Sequence, residues 1–165
     1  MKSADSSSKI CTFIALAEQV RSLRIIGVRI VATSGAFDLW HEGHALYLED
    51  AARHGDVLVV GVDSDELIRQ RKGPKRPICG QDSRLIVVAA QAAVDYAIVI
   101  DDWSIFVRLA SPDIIVVSPT TGDDANLVQR ELARSVGAEI AIVPSRSGNH
   151  TSGLIDSIVE RYGGK

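Results

Sequence analysis

Five short apolar runs, separated by stretches of helical periodicity, constrain this chain more than any other feature. The runs cover residues 29–32, 56–62, 96–100, 114–117 and 139–143. They are rich in Val and Ile and do not alternate with polar residues, which is the pattern of parallel strands covered on both faces. Between the first two, residues 43–54 place His44, Leu48, Ala51 and Ala52 on one helical face, and Gly55 ends the helix. The next helix starts at Asp63 or Ser64, with Asp63 and Glu66 at capping-box spacing. Gln81 opens an apolar helix running to about residue 93. Asp101 and Asp102 can cap a helix carrying Trp103, Phe106 and Leu109, and Asp123 can cap one carrying Leu127, Val128, Leu132 and Val136, which Gly137 stops. Helices at about 8–23 and 152–162 bracket the whole. Such alternation predicts an α/β, Rossmann-like open parallel five-stranded sheet with helices on both faces. Ligands on these sheets bind beyond the carboxyl ends of the strands, where the strand order reverses.

With 165 residues the chain fits one domain, expected over 9–165 after a disordered tail at 1–8. Its net charge of −3 excludes a broad basic face for nucleic acid. No apolar run approaches the roughly 20 residues that span a bilayer. The polar opening does not read as a secretory signal, and Cys11 and Cys79 read as two free thiols. The expected compartment is the cytoplasm.

The segment Thr33-Ser-Gly-Ala-Phe-Asp-Leu-Trp-His-Glu-Gly-His44 joins the first run to a helix start. A strand that ends in a glycine turn and feeds a helix turns backbone N–H groups and a positive dipole end outward, toward phosphate. Gly35 is expected to allow a backbone angle closed to other residues and to let phosphate approach Ser34, Gly35, Ala36 and Phe37. Asp38 is expected to fix the turn through N–H groups nearby and to face the acceptor. The quartet from His41 to His44 admits three readings. As a zinc site it lacks a third ligand and is one residue short of His-Glu-x-x-His. Taken singly, each histidine is a packed or capping residue. Taken with Gly35, Phe37 and Asp38, the pair reads as a phosphate-binding couple, with His44 neutral until a polyanion binds.

Arg69, Arg71, Lys72, Lys75 and Arg76 put five cations into eight residues of an acidic chain. Gly73 and Pro74 forbid a continuous helix, so the charges are expected on a loop beside the His turn. Either the loop is merely solvated, or it gathers two phosphorylated ligands, with Lys72 and Lys75 as the contacts and Arg69 and Arg71 facing solvent. Arg84 either points into the crevice or pairs with an acid. After the last run, Arg146, Thr151 and Ser152 begin a final helix, where the hydroxyls act as N-caps, as phosphate ligands, or as both.

These residues resemble the cytidylyltransferase-like nucleotidyltransferases, whose hallmark is Gly-x-Phe-Asp-x-x-His-x-Gly-His. Gly35, Phe37, Asp38, His41, Gly43 and His44 match every fixed position. Within that family the chain is similar to heptose 1-phosphate adenylyltransferases of lipopolysaccharide-core precursor synthesis. The likeness runs through Tyr47-Leu48, Val62-Asp-Ser-Asp65, Lys72-Gly-Pro-x-Arg-Pro-Ile78, Asp82-x-Arg84 and Val94-Asp-Tyr96. The late Arg-Thr-x-Gly-Ile-Ser-Thr-Thr signature of glycerol 3-phosphate cytidylyltransferases is echoed loosely by residues 146–152, with His150 at the first serine. Two departures stand out. Ser34 replaces a common asparagine, and Val117-Ser-Pro-Thr-Thr-Gly-Asp-Asp124 stands where relatives carry Lys-Gly-Gly-Asp or Met-Gly-Asp-Asp, so that Gly122 and Asp123 would serve in a displaced position.

The resemblance implies transfer of a nucleotidyl group from ATP to a sugar 1-phosphate, with release of pyrophosphate. His41, His44 and Lys72 would be catalytic. Ser34, Gly35, Ala36, Phe37, Arg146, Thr151 and Ser152 would bind nucleotide, and Asp38, Lys75 and Arg84 would bind acceptor. Magnesium would arrive on the triphosphate with no dedicated protein ligands, and a homodimer is the common state of relatives of this size. Two rivals remain: cytidylyl transfer from CTP to a polyol, choline-like or phosphonate acceptor, and a nucleotide-binding regulatory protein without turnover.

Overall fold

The computed structural model describes residues 5–119 and 123–164. Gly122 and the side chains of Asp123, Leu127 and Val128, which were assigned roles above, lie outside the described residues. Five parallel strands, β1 (Ile30–Gly35), β2 (Val57–Asp63), β3 (Tyr96–Ile100), β4 (Ile114–Val117) and β5 (Glu139–Ile142), form one sheet in the order β3-β2-β1-β4-β5. The expected open α/β sheet is borne out.

The unalternating apolar runs have a direct structural cause. Along β1, Ile30 and Ala32 enter one core while Val31 enters the other; along β4, Ile115 and Val117 oppose Ile114 and Val116. Both faces are therefore buried. The first core lies under α1 (Phe13–Ile25), α5 (Trp103–Ala110) and α6 (Asp123–Val136). The second lies under α2 (Glu42–Ala52) and α4 (Gln81–Ala89). Right-handed crossovers explain this partition. The chain steps from β1 outward to β3, then returns past β2 and β1 to β4, so the later helices fall on the opposite face. The reversal lies between β1 and β4, and a crevice opens there at the carboxyl ends of the strands.

The helix starts differ from expectation in instructive ways. The leading helix begins at Phe13, because Thr12 accepts a hydrogen bond from the Ala15 amide. Cys11 consequently sits ahead of it, and both cysteines are free thiols. Residues 6–9 form a 3-10 turn capped by Asp5, and Lys9 donates to the Gln91 carbonyl at 2.9 Å. The helix α3 (Asp65–Lys72) is capped by Ser64, whose hydroxyl accepts from the Leu67 amide. Asp63 takes no part in a capping box, since its carboxylate pairs with Arg71 instead. Asp102 caps α5 through the Ser104 and Ile105 amides, worth about 1 kcal/mol. The final helix is α7 (Thr151–Tyr162). Among the described residues no helix is long and apolar enough to cross a membrane.

Candidate active site

The reversal crevice is a cleft of about 830 Å³, within the range of small-ligand sites. Its floor is the turn after β1. That turn is strained at Phe37 and Leu39, whose φ angles of 47° and 46° lie in the left-handed region, at a cost of roughly 1–3 kcal/mol each. Gly35 itself needs no such angle, contrary to the expectation for it. It is required because a Cβ there would meet the Phe37 ring at 3.2 Å. The strain is held by Asp38, which is buried and accepts from the Ile78 and Cys79 amides and from Arg76 Nε at 2.7 Å. Burial alone would raise the Asp38 pKa, but these donors outweigh it and hold the carboxyl below its ordinary value. The expected acceptor contact is thus corrected in its main part. Although Asp38 borders the cleft, its carboxylate is engaged in clamping the 76–79 loop to the His turn.

The two imidazoles meet above this floor, stacked with centroids 3.9 Å apart and planes 30° from parallel. His41 is the N-cap of α2, and its Nδ1 accepts from the Gly43 amide at 3.1 Å, which leaves Nε2 as its N–H donor. A Cβ at Gly43 would stand 2.9 Å from that ring, so the cap depends on the glycine. His44 lies in edge contact with Phe37, and its Nδ1 is buried without a protein partner. Burial, then the nearby His41 and Lys72, pull the His44 pKa down to about 4. His41 is lowered as well, chiefly by burial. Both rings are neutral in the free protein at pH 7.

A depressed histidine pKa carries a stability consequence with a definite sign. The unfolded chain protonates His44 near its ordinary value of 6.5, whereas the folded protein resists protonation until about 4. The stabilisation is complete above pH 6.5 and is lost as pH falls toward 4. The urea midpoint is therefore expected to fall between pH 7 and pH 5, and to fall less in His44→Gln. Equal pH dependence in the two proteins would contradict the burial of a neutral ring.

The cationic segment is divided by Gly73. Arg69, Arg71 and Lys72 lie on the last turn of α3 rather than on a loop, since Gly73, at φ 89°, ends the helix after them. Lys72 borders the cleft, and burial together with Arg76 and Arg71 lowers its pKa. Arg69 is half exposed and pairs with Asp65 and Glu66, as expected for a solvent-facing residue. Lys75 is exposed and does not line the cleft; Arg71, expected to face solvent, is half exposed yet borders the cleft, and Arg76, given no role in the sequence, borders it too. The turn after Gly73 swings Lys75 outward, while Arg76 is drawn in by Asp38.

Arg84 resolves to the acid-pairing alternative and is no acceptor contact. It is 2% exposed, lies outside the cleft, and donates to the carbonyls of Cys79, Ala36 and Asp63 and to Asp65 Oδ1. Ser34, Ala36, Arg146, Thr151 and Ser152 all border the cleft. The Arg146 guanidinium, however, pairs with Asp50 at 2.6 Å and Glu49 at 3.3 Å on α2. Neither Thr151 nor Ser152 is the N-cap of α7: that position is His150, which makes no side-chain cap bond. Thr151 Oγ1 donates to the Asp38 carbonyl instead, tying the start of α7 to the His turn. Asp63, Trp103, Gln129 and His150 complete the walls. No motif marked Trp103 or Gln129, because each is brought in by a crossover; His150 lies in the 146–152 segment already noted. Among the described residues no cluster of three or more acidic, histidine or cysteine side chains could hold a metal ion.

A switch-point turn that stacks two neutral histidines between the starts of two helices, flanked by Arg71, Lys72 and Arg76, is an arrangement able to bind phosphate groups. Comparison with known proteins narrows the reading. The chain belongs to the cytidylyltransferase-like family, whose model matches residues 32–153, so the resemblance carried by the His turn is borne out at family level. It is 35% identical over 159 residues to the bifunctional protein HldE of Trichlorobacter lovleyi, covering 96% of this chain and 32% of that protein. It is 36% identical over 163 residues to HldE of Pelobacter propionicus, covering 96% and 33%. The chain thus spans about a third of the length of these relatives. Among solved structures, a lipopolysaccharide core biosynthesis protein from Thermoplasma volcanium superposes with a TM-score of 0.62 at 32% identity, covering 74% of this chain and all of that one. A pantoate-beta-alanine ligase from Francisella tularensis, 13% identical over 87% of this chain and 69% of its own, shares the fold with a TM-score of 0.60.

Proposed function

We propose that the protein transfers an adenylyl group from ATP to a sugar 1-phosphate and releases pyrophosphate. The observation that carries this reading is the stacked His41–His44 pair at a crevice where α2 and α7 both begin. The first-turn amides of α7 have no side-chain cap, so they are available to an anion. Arg71, Lys72 and Arg76 outnumber the two carboxylates lining the cleft, in a chain whose net charge is −3. The local excess of positive charge offsets the repulsion between two phosphorylated ligands. The relative named for lipopolysaccharide core biosynthesis supports a carbohydrate acceptor.

In the reaction, an oxygen of the acceptor phosphate attacks the α-phosphorus. One P–O bond forms as the bond to the bridging oxygen breaks, and that oxygen leaves with the electron pair on pyrophosphate. A phosphate dianion is already nucleophilic, so the residues need only align the groups and stabilise charge. His41 Nε2–H and His44 would face the phosphorus and the departing pyrophosphate. Lys72, with Arg71 beside it, would hold the acceptor phosphate. Magnesium enters as part of the triphosphate substrate. A cytoplasmic, dimeric protein fits this role.

Measuring pyrophosphate release from ATP, CTP, GTP and UTP, each crossed with sugar and polyol phosphates, tests the reading. Release with ATP and a sugar 1-phosphate is expected. Preference for CTP and a polyol phosphate would replace it with cytidylyl transfer. Tight nucleotide binding with no release from any acceptor would make the protein a binding module.

A further inference from the structure

Four buried side-chain polar atoms among the described residues have no protein partner: His44 Nδ1, Arg76 Nη2, Trp103 Nε1 and Gln129 Oε1. All four residues line the one cleft. Leaving such atoms unpaired is costly, so their convergence marks groups that a ligand satisfies. His44 and Arg76 belong to the phosphate-holding part already described. Trp103 and Gln129 do not: they are uncharged, one donates where the other accepts, and they come from α5 and α6 on the opposite face of the sheet.

We propose that Trp103 and Gln129, with Asp63, form a hydroxyl-reading subsite for the sugar moiety of the acceptor; this rests on the sugar-phosphate reading above. The chemistry of the three groups selects the ligand. A phosphate oxygen is an acceptor only, so the Gln129 carbonyl oxygen and the Asp63 carboxylate both reject it. A hydroxyl both donates and accepts, and satisfies either of them as well as the indole N–H. Asp63 is buried at the end of β2, in register with Ile100, and Trp103 follows three residues later, so the two occupy neighbouring strand ends. One Asp63 oxygen takes Arg71 at 2.9 Å, which places the carboxylate beside the cations assigned to the acceptor phosphate. A sugar 1-phosphate has this polarity, with its anion at one end and hydroxyls at the other.

The same residues do not suit a nucleobase. The Trp103 ring is packed against Phe106, with centroids 5.6 Å apart, inside the α5 core. A ring engaged by Phe106 is a poor stacking platform, and its polar group, the buried indole N–H, is left without a partner. Discrimination built on buried polar groups is steep, because a ligand lacking the hydroxyl leaves them unpaired.

The test uses Trp103→Phe, which keeps the ring and deletes the donor, and Gln129→Leu, which keeps the bulk and deletes the acceptor. Pyrophosphate release is followed with ATP and with heptose, mannose and glucose 1-phosphates and their monodeoxy analogues. Each variant is expected to lose about 10- to 100-fold in kcat/KM for the best sugar phosphate while KM for ATP stays within twofold. Each should also lose the preference for that sugar phosphate over at least one deoxy analogue, a change that mere loosening of the fold does not produce. A raised KM for ATP with unchanged acceptor kinetics would assign the wall to the base and overturn the inference. Unchanged acceptor kinetics in variants of an active protein overturn it while leaving the proposed function standing. A wild-type protein that uses no sugar phosphate overturns both.

Discussion

Replacing His44 by alanine is expected to lower kcat by 100- to 1,000-fold, about 3 kcal/mol of transition-state stabilisation, with a smaller change in KM for the triphosphate. The size follows from what the ring contributes in place. It is preorganised by edge contact with Phe37 and by stacking on His41 at 3.9 Å, so it loses no rotamer freedom when the triphosphate arrives. Its pKa of about 4 keeps it neutral in the free protein, which avoids like-charge repulsion with Lys72 and with the start of α2. In the proposed reaction, charge developing on the departing pyrophosphate would strengthen a His44 contact that is weak in the ground state, which is why the loss should fall on kcat. Near-wild-type turnover in the variant would remove His44 from the chemistry.

The second large effect is on folding. Arg84→Ala is expected to cost roughly 3–5 kcal/mol, the range for stripping one partner from a buried ionic network. Arg84 is 2% exposed and its guanidinium serves three carbonyls and the Asp65 carboxylate at once. Those carbonyls belong to Ala36 in the His turn, Asp63 at the end of β2 and Cys79 in the loop, so one side chain pins three segments of the site floor. With a urea dependence of about 2 kcal/mol per molar, the midpoint should fall by ~2 M. Arg84→Lys should recover little, because an ammonium lacks the planar fork that reaches several acceptors. A midpoint shift below about 0.5 M in Arg84→Ala would show that the segments hold together without it.

The sheet was legible because burial on both faces leaves a strong mark. The runs at 96–100 and 114–117 coincide with β3 and β4. The first strand extends past residue 32 to Gly35, since Thr33 is buried with its hydroxyl donating to the Val116 carbonyl at 3.0 Å. Polar residues satisfied this way look like loop in a sequence. The stacked histidines were legible because the motif is local, with both rings set by one turn and the helix it starts. The charged residues were less so. Lys75 and Arg76 are neighbours in a run of cations, and only the buried Asp38 carboxylate, 38 residues earlier, decides which of them turns inward. Likewise Arg84 was balanced between crevice and ion pair, and the choice depends on three carbonyls that only the assembled fold brings together. Trp103 read only as a core position of its helix, and Gln129, a polar residue off the apolar face of the next one, carried no signal at all.

The central claim is that this crevice moves the α-phosphorus of a triphosphate onto a phosphorylated acceptor. Phosphorus-31 NMR of the protein with magnesium, ATP and a sugar 1-phosphate tests it most directly, because it reports which P–O bond has broken. The expected spectrum shows free pyrophosphate and two new coupled resonances from a sugar–diphosphate–nucleoside linkage, both absent with His44→Ala over the same interval. ADP with a newly phosphorylated acceptor, or ADP with inorganic phosphate, would place the cleavage at the γ-phosphorus and contradict the account.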